Sequence, residues 1–499
     1  MLDQSFSSSN FNNIFLTENR KGNFDKSHFT QEYLNKHQEF KSTVGEKLRL
    51  KKTKTLTKDE LDDFAERLER INDEKEEIRL SIFEEYSNKI NSLNSPFQFD
   101  ITYDSIKEVY TVKNNPASYY AVKQLQRNIY KTFKVVQADR NKIIKQIFNV
   151  ASDGFPKIII KTDIKSFYES IPQDRLFEKI ENNTLLSPFS KKLIKRLFYE
   201  FEDKKDKTKI PAKKGVPRGI GISAYLSELY MRDIDNEIKA LEDVIYYARY
   251  VDDIIVVISP KTESKKRDYL NEIKKIVNLN LLELKDGSDG GENKTKEISL
   301  FEEKSKNGTP FEIDEFNYLG YKYNLKHFPK KSKTELTLEI SDNKIKEKYI
   351  DRLEAIVTAY NKDSKYNEKE ARNIMFARLK FLTGNFHLNN NKKNVKSGVY
   401  YSNRMLELNY NTYESLNTLN LELEKKIKNL SPPKGIKNVK DNFKEKLIVH
   451  ILNNYDFIKG FKNKEKFFYT FRFNSREASF YSKKLKRVTN KFEVIKSIW

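Results

Sequence analysis

The stretch VIYYARYVDDIIVVIS, residues 244–259, decides the reading of this chain. Two apolar, β-branched and aromatic runs, Val244–Tyr250 and Ile254–Ser259, flank a tip that carries Asp252 and Asp253, a pattern that predicts a β-hairpin. Taken alone, two aspartates at a tip are ordinary turn chemistry. Upstream, KIIIKTD (157–163) reads as a buried strand that ends in a carboxylate, Asp163. Between the two lie an amphipathic helical region (Asp174–Glu200), a charged loop (Asp203–Lys214) and a second helical pattern (Ile222–Lys239); Glu263–Leu279 follows as a further helix. The order β-α-α-β-β-α predicts a split βαβ sheet, in which a strand end and a hairpin tip can converge.

Such convergence has a chemical use. Transfer of a nucleotidyl group to a hydroxyl is commonly run by two divalent cations about 3.5–4 Å apart. Mg²⁺ is a hard cation that takes carboxylates, waters and phosphate oxygens. A site of that kind needs at least two Asp or Glu facing each other on rigid backbone, which Asp163, Asp252 and Asp253 would supply. Each position also has a bland reading, turn residue or helix cap, so the joint occurrence carries the weight.

The surrounding segments, in order along the chain, resemble the motifs of reverse transcriptases. Lys161–Pro172 (KTDIKSFYESIP) resembles motif A, Gly215–Leu229 (GVPRGIGISAYLSEL) motif B and Tyr250–Asp253 (YVDD) motif C. Glu292–Glu297 (ENKTKE) is similar to motif D, Phe316–Tyr321 (FNYLGY) to motif E, and Arg127–Gln146 to the fingers motif that precedes A. The resemblance covers about residues 117–330. It implies an α/β right-hand polymerase with fingers, split-βαβ palm and thumb, followed by a mostly α-helical extension. The boundaries it suggests are 1–116 for an amino-terminal, partly helical region, 117–330 for fingers and palm, and 331–499 for thumb and extension.

The resemblance also implies roles. Asp163 and Asp252 would hold two Mg²⁺ ions (Mn²⁺ as substitute), with Asp253 in support and Ile164 offering a backbone carbonyl. Tyr168 corresponds to the aromatic gate under the sugar that favours deoxynucleotides. Lys131 and Arg140 would meet the triphosphate, and Lys294 matches the motif D lysine, a general acid toward pyrophosphate. Arg218 stands where motif B commonly carries Gln, followed by Gly219. That Arg, together with the SELY of Ser227–Tyr230, looks more like the abortive-infection and defence-associated reverse transcriptases of bacteria than like retroviral enzymes. The implied partners are deoxynucleoside triphosphates and nucleic acid: an RNA template, a DNA product, or a noncoding RNA. Templated, untemplated and protein-primed synthesis stay open, as does assembly with a second copy or a partner protein. The alternatives are an RNA-directed RNA polymerase, which Tyr168 argues against, and a non-catalytic nucleic-acid-binding protein with a degenerate palm, which the three carboxylates argue against.

Composition is consistent with that class. The 499 residues carry 94 Lys+Arg against 72 Asp+Glu, a net +22, which points to a polyanionic partner. Cys is absent and only five His occur, which argues against a disulfide framework and structural zinc. No apolar run approaches the roughly 18 residues of a membrane span, and the amino terminus lacks a signal-peptide layout, so the expectation is a cytoplasmic protein without membrane contact. Thr57 with Glu60 reads as a capping box that opens a helix; residues 1–56 read as weakly patterned. In the carboxy-terminal region, Arg378–Asn385, Asn389–Lys393 and Gly398–Asn403 interleave basic and aromatic residues, a pattern suited to tracking a single strand, with Lys392 and Lys393 as candidate contacts. Arg472, Arg476, Lys483, Lys484, Lys486 and Arg487 add charge near the terminus.

Overall fold

The structure, a computed structural model, describes residues 3–21, 24–53, 56–112, 115–261, 267–287, 293–301, 314–328, 333–390, 393–409, 412–431, 440–464, 467–469, 494–495 and 497–499. Two compact units emerge. The first comprises Met1–Ala138, Thr162–Ile254 and Arg267–Thr295; the second comprises Asp139–Lys161, Ile255–Lys266 and Lys296–Trp499.

In the first unit, three helices precede the motif region: α1 (Ser8–Arg20), α2 (Gln31–Thr53) and α3 (Lys58–Asn91). The capping box is present, with the Thr57 hydroxyl accepting from Glu60 N at 3.2 Å and the Glu60 carboxylate accepting from Thr57 N at 2.9 Å. Helices α1 and α2 depart from the weak patterning expected of residues 1–56. The first is short, capped by Ser7, and buries only Phe11, Ile14 and Phe15 as large apolar residues. Those rings join Phe29, Phe83 and Tyr120 in one aromatic cluster. Few but large side chains anchor that helix, so its apolar count in sequence is low.

A hairpin of β1 (Thr102–Asp104) and β2 (Val109–Thr111), in the register Thr102↔Thr111, leads to α4 (Pro116–Phe133). Helix α5 (Arg140–Ala151) follows, in the second unit, and then β3 (Ile158–Asp163). Next come α6 (Phe167–Ser170), α7 (Gln173–Glu181), α8 (Pro188–Lys204), α9 (Gly221–Lys239), β4 (Val244–Tyr250), β5 (Asp253–Ile258), α10 (Tyr269–Leu279) and β6 (Lys296–Ser299). The helical region expected over Asp174–Glu200 is two helices, because Ser187-Pro188 caps and opens a new one. The sheet has the order β4-β5-β3-β6, with β3 and β6 antiparallel. Ile158, Ile159, Ile160 and Ile254–Ile258 are fully buried, as the continuous apolar runs require.

In the second unit, β7 (Asp314–Tyr318), β8 (Tyr321–Phe328) and β9 (Lys333–Ile340) form an antiparallel meander. Leu319 and Gly320 both have positive φ, 48° and 71°, the requirement of a two-residue type I′ turn. Helices α11 (Asp342–Ile345), α12 (Asp351–Asp363) and α13 (Glu368–Thr383) follow. Strands β10 (Asn385–Asn390) and β11 (Lys393–Gly398) come next, then α14 (Val399–Asn403), α15 (Glu414–Ile427), α16 (Lys440–Asn454), α17 (Phe457–Lys462) and β12 (Phe467–Tyr469). The region is mostly helical, as expected, but β10 pairs with both β11 and β12. Its Asn-rich strands carry no apolar alternation by which a sequence would announce them.

Candidate active site

Asp163 is the last residue of β3, 5% exposed, at the end of an isoleucine run that can only be buried. Its carbonyl accepts from Lys285 N at 2.7 Å. One carboxylate oxygen, Oδ2, lies 3.2 Å from Lys294 Nζ, while Oδ1 is buried with no hydrogen-bond partner among the described residues. A buried, unsatisfied carboxylate oxygen is costly and calls for a cation or water to complete it.

The next residue stitches the two acidic segments together. Ile164 N donates to Asp252 O at 3.2 Å, and Ile164 is itself buried. At the hairpin tip, Val251 sits in the left-handed region at φ 61°, an uncommon conformation for a β-branched residue. Asp252 then faces Asp163. Burial, the Asp163 carboxyl and Asp253 together push the Asp252 carboxyl up to about 6 from an ordinary 3.8. Asp253 opens β5 and is half-buried.

This donor set is made of oxygen alone, which fits a hard divalent cation and not zinc. Among the described residues no group of three or more His, Cys, Asp or Glu closes around a metal position. Mg²⁺ bound by one or two carboxylates ordinarily completes its shell with waters and substrate phosphates, so the orphan Oδ1 and the crowded carboxyls suit that mode.

Lys294 reaches the site through local backbone pairing. Its N–H donates to Lys285 O at 2.8 Å beside the Asp286↔Asn293 bridge. Glu292, in the same motif, lies outside the described residues. Tyr168, on α6, is half-buried, and its carbonyl accepts from Val216 N at 2.8 Å, which ties motif A to motif B. Burial first, then Glu228 and Asp252, raise its phenol above the ordinary value, while Arg218 works the other way. Tyr168, Glu228, Asp252 and Arg218 are thus electrostatic neighbours.

Arg218 has an exposed side chain, and its carbonyl accepts from Tyr110 N at 2.7 Å. Gly219 has φ 100°, and a Cβ there would stand 2.7 Å from Tyr110 O and from Val109 Cβ. A glycine is therefore required by the approach of the β1–β2 hairpin as well as by the backbone angle. Lys131, on α4, is exposed, with its ammonium 5.6 Å from the Tyr130 ring centroid.

Arg140 lies on α5. It belongs to the second unit, where its guanidinium donates to Leu319 O (Nε at 3.1 Å) and lies over the Tyr321 ring. Lys392 and the charged residues at 472–487 lie outside the described residues, as does the Lys393 side chain. Two members of the expected carboxy-terminal basic and aromatic track, Arg378 and Phe381, are buried; Arg378 donates to Val494 O at 3.2 Å, and Phe381 stacks on Phe386.

Sequence reasoning missed Arg249. Its guanidinium is buried behind the hairpin between Glu228 and Asp235 of α9. The signal was present: Tyr247 and Arg249 are two apart on one face of a strand, and Glu228 and Asp235 are seven apart on one face of a helix.

Residues 94–323 match the family model described as reverse transcriptase (RNA-dependent DNA polymerase). No curated protein matches the sequence significantly. Among solved structures, a Candida tropicalis apo telomerase truncated from its C-terminal domain aligns at 20% identity and TM-score 0.28, over 41% of this chain and 43% of that one. A Candida albicans telomerase in complex with a TWJ fragment of telomeric RNA aligns at 13% identity and TM-score 0.31, over 80% and 60%. The C. tropicalis telomerase complex with the same kind of fragment aligns at 15% and 0.29, over 66% and 56%. The chain thus spans 43–60% of the length of these structures. No described helix is long and apolar enough to cross a membrane. With motifs A to E in order along it, the segment 94–323, somewhat under half of the chain, is similar to the reverse transcriptase (RNA-dependent DNA polymerase) family.

Proposed function

We propose that the chain is a DNA polymerase that adds deoxynucleotides to a 3′ hydroxyl through two divalent cations held by Asp163 and Asp252. The observation that carries this reading is the pairing of an orphaned, buried Asp163 Oδ1 with an Asp252 carboxyl raised to about 6. Two carboxyls crowded at such cost have a use once a cation lies between them. When bound, the ions would lower the barrier by activating the attacking hydroxyl and neutralising the leaving pyrophosphate. Asp253 adds charge beside Asp252, and the Ile164 carbonyl follows Asp163 on the same turn. Lys294, at 3.2 Å from Asp163, holds a proton near the place where the leaving group would depart. Tyr168 would stand under the sugar, and Arg218 and Gly219 would line the nascent base pair, with Lys131 on the fingers side. In this reading residues 117–330 are fingers and palm, 331–499 are thumb and extension, and the +22 charge serves nucleic acid. The Arg218 departure in motif B and the SELY segment support placement among the defence-associated bacterial reverse transcriptases, hence a role in limiting phage.

Primer extension tests the reading. Asp163→Ala should abolish incorporation of deoxynucleotides, by at least about 10³-fold, while circular dichroism stays that of the parent. An Asp163→Ala chain that extends DNA at the parental rate refutes it.

A further inference from the structure

Five N–H bonds of one buried guanidinium are all used beside the hairpin tip. Arg249 Nε donates to Asp235 Oδ1 at 2.8 Å. Nη2 donates to Asp235 Oδ2 at 2.9 Å and to Glu228 Oε2 at 2.7 Å. Nη1 donates to Glu228 Oε1 at 3.2 Å and to the carbonyl of Val251 at 2.8 Å. Asp235 also accepts from Tyr247 OH at 2.6 Å. Two bidentate carboxylate pairs would satisfy an arginine by themselves, save for one N–H, and that one reaches the hairpin tip.

The bond to Val251 falls at a strained place. A valine at φ 61° persists only where its surroundings over-determine it. Arg249 fixes the peptide that enters Asp252, through Val251 O; Ile164 N fixes the peptide that leaves it, through Asp252 O. With both flanking peptides held, the Cα–Cβ direction of Asp252 is set before any ligand arrives.

We infer that Arg249 is the positioning residue of the YVDD tip: by clamping the Val251 carbonyl it holds the left-handed turn that aims Asp252 at Asp163. The inference rests on the reading of Asp252 as a cation ligand. A lysine cannot replace Arg249, because a single ammonium cannot meet two bidentate carboxylates and a carbonyl in one plane.

The test compares Arg249→Lys with Tyr247→Phe. Tyr247→Phe loosens the same buried network without touching the tip. Arg249→Lys should lower kcat about 100-fold, the scale of a misplacement near 1 Å, with KM for the nucleotide moved less than about threefold. It should also weaken Mn²⁺ binding about tenfold by electron paramagnetic resonance titration in the absence of nucleotide. Tyr247→Phe should keep kcat and Mn²⁺ affinity, whatever it loses in thermal stability. Arg249→Lys with kcat and Mn²⁺ affinity within about threefold of the parent overturns the inference. Should Arg249→Lys fail to fold, Asp235→Asn decides. Asp235 holds Nε and Nη2 and leaves Nη1 on Val251, so kcat should survive at a lowered melting temperature. A kcat that falls in step with stability makes the network mere scaffold and overturns the inference. Asp252→Ala run alongside separates the two levels: if it still extends DNA, the cation-ligand reading fails and takes the inference with it; if it is inactive, an unaffected Arg249→Lys refutes the positioning role alone.

Discussion

Asp252→Asn should kill incorporation and at the same time make the ligand-free protein more stable at neutral pH. The Asp252 carboxyl is raised from 3.8 to about 6 by burial and by Asp163 and Asp253. The difference between 3.8 and about 6 corresponds to about 3 kcal/mol. Asp252 is only half-buried, so solvent screening reduces this to about 1–2 kcal/mol. The sign follows from linkage. With the folded value above the unfolded one, the native state holds more protons between about pH 4 and 6. The contribution is therefore full below about 4 and is lost as pH rises through about 6. Asn carries no charge at any pH, so the variant should escape that loss. Thermal melts of parent and variant at intervals from pH 4 to 7.5, without divalent cation, give the difference. The curves should converge toward pH 4 and separate to about 1–2 kcal/mol in the variant's favour by pH 7.5. Added Mg²⁺ should raise the parent's melting temperature and leave the variant's nearly unmoved. A variant less stable than the parent at pH 7.5, or a gap that does not depend on pH, would refute the electrostatic account.

Three further outcomes can be checked. Tyr168→Val should raise ribonucleotide use relative to deoxynucleotide use in single-nucleotide kinetics, because removing the ring opens room for a 2′ hydroxyl; an unchanged ratio makes Tyr168 a packing residue. Gly219→Ala should cost about 1–3 kcal/mol, since φ 100° is unfavourable for alanine and its Cβ would meet Tyr110 O at 2.7 Å; a melting temperature equal to the parent's would show that the β1–β2 hairpin yields freely. Affinity for single-stranded nucleic acid should fall steeply between about 50 and 200 mM salt through counterion release, and charge reversal at Lys392 and Lys393 should flatten that dependence without altering chemistry on a bound nucleotide.

The sequence by itself determined the palm. Continuous isoleucine and valine runs at 158–160 and 254–258 can only be buried strands, and their order with the helices between them predicts a split βαβ sheet, whereas the pairing order β4-β5-β3-β6, with β6 at its edge, is seen only in the fold. The acidic residues sit at strand ends, so knowing the strands places Asp163 beside the 252–253 tip. The capping box at Thr57 was legible for the same reason: both of its partners lie within one turn. What only the tertiary structure decided depends on contacts distant in sequence. Arg140 reads as a fingers cation, and only the fold shows that its guanidinium donates to Leu319 O, 179 positions away. Gly219 is fixed by a hairpin more than a hundred residues upstream. Arg378 reads as one member of a basic and aromatic track until Val494 O is seen to accept from it. Arg249 reads as one more basic residue in a chain of +22 until Glu228, Asp235 and Val251 close around it. Local period and apolar content fix which elements form. The fate of a long, charged side chain depends on which partners the fold delivers to its tip, and that information is spread along the chain at separations no local pattern encodes.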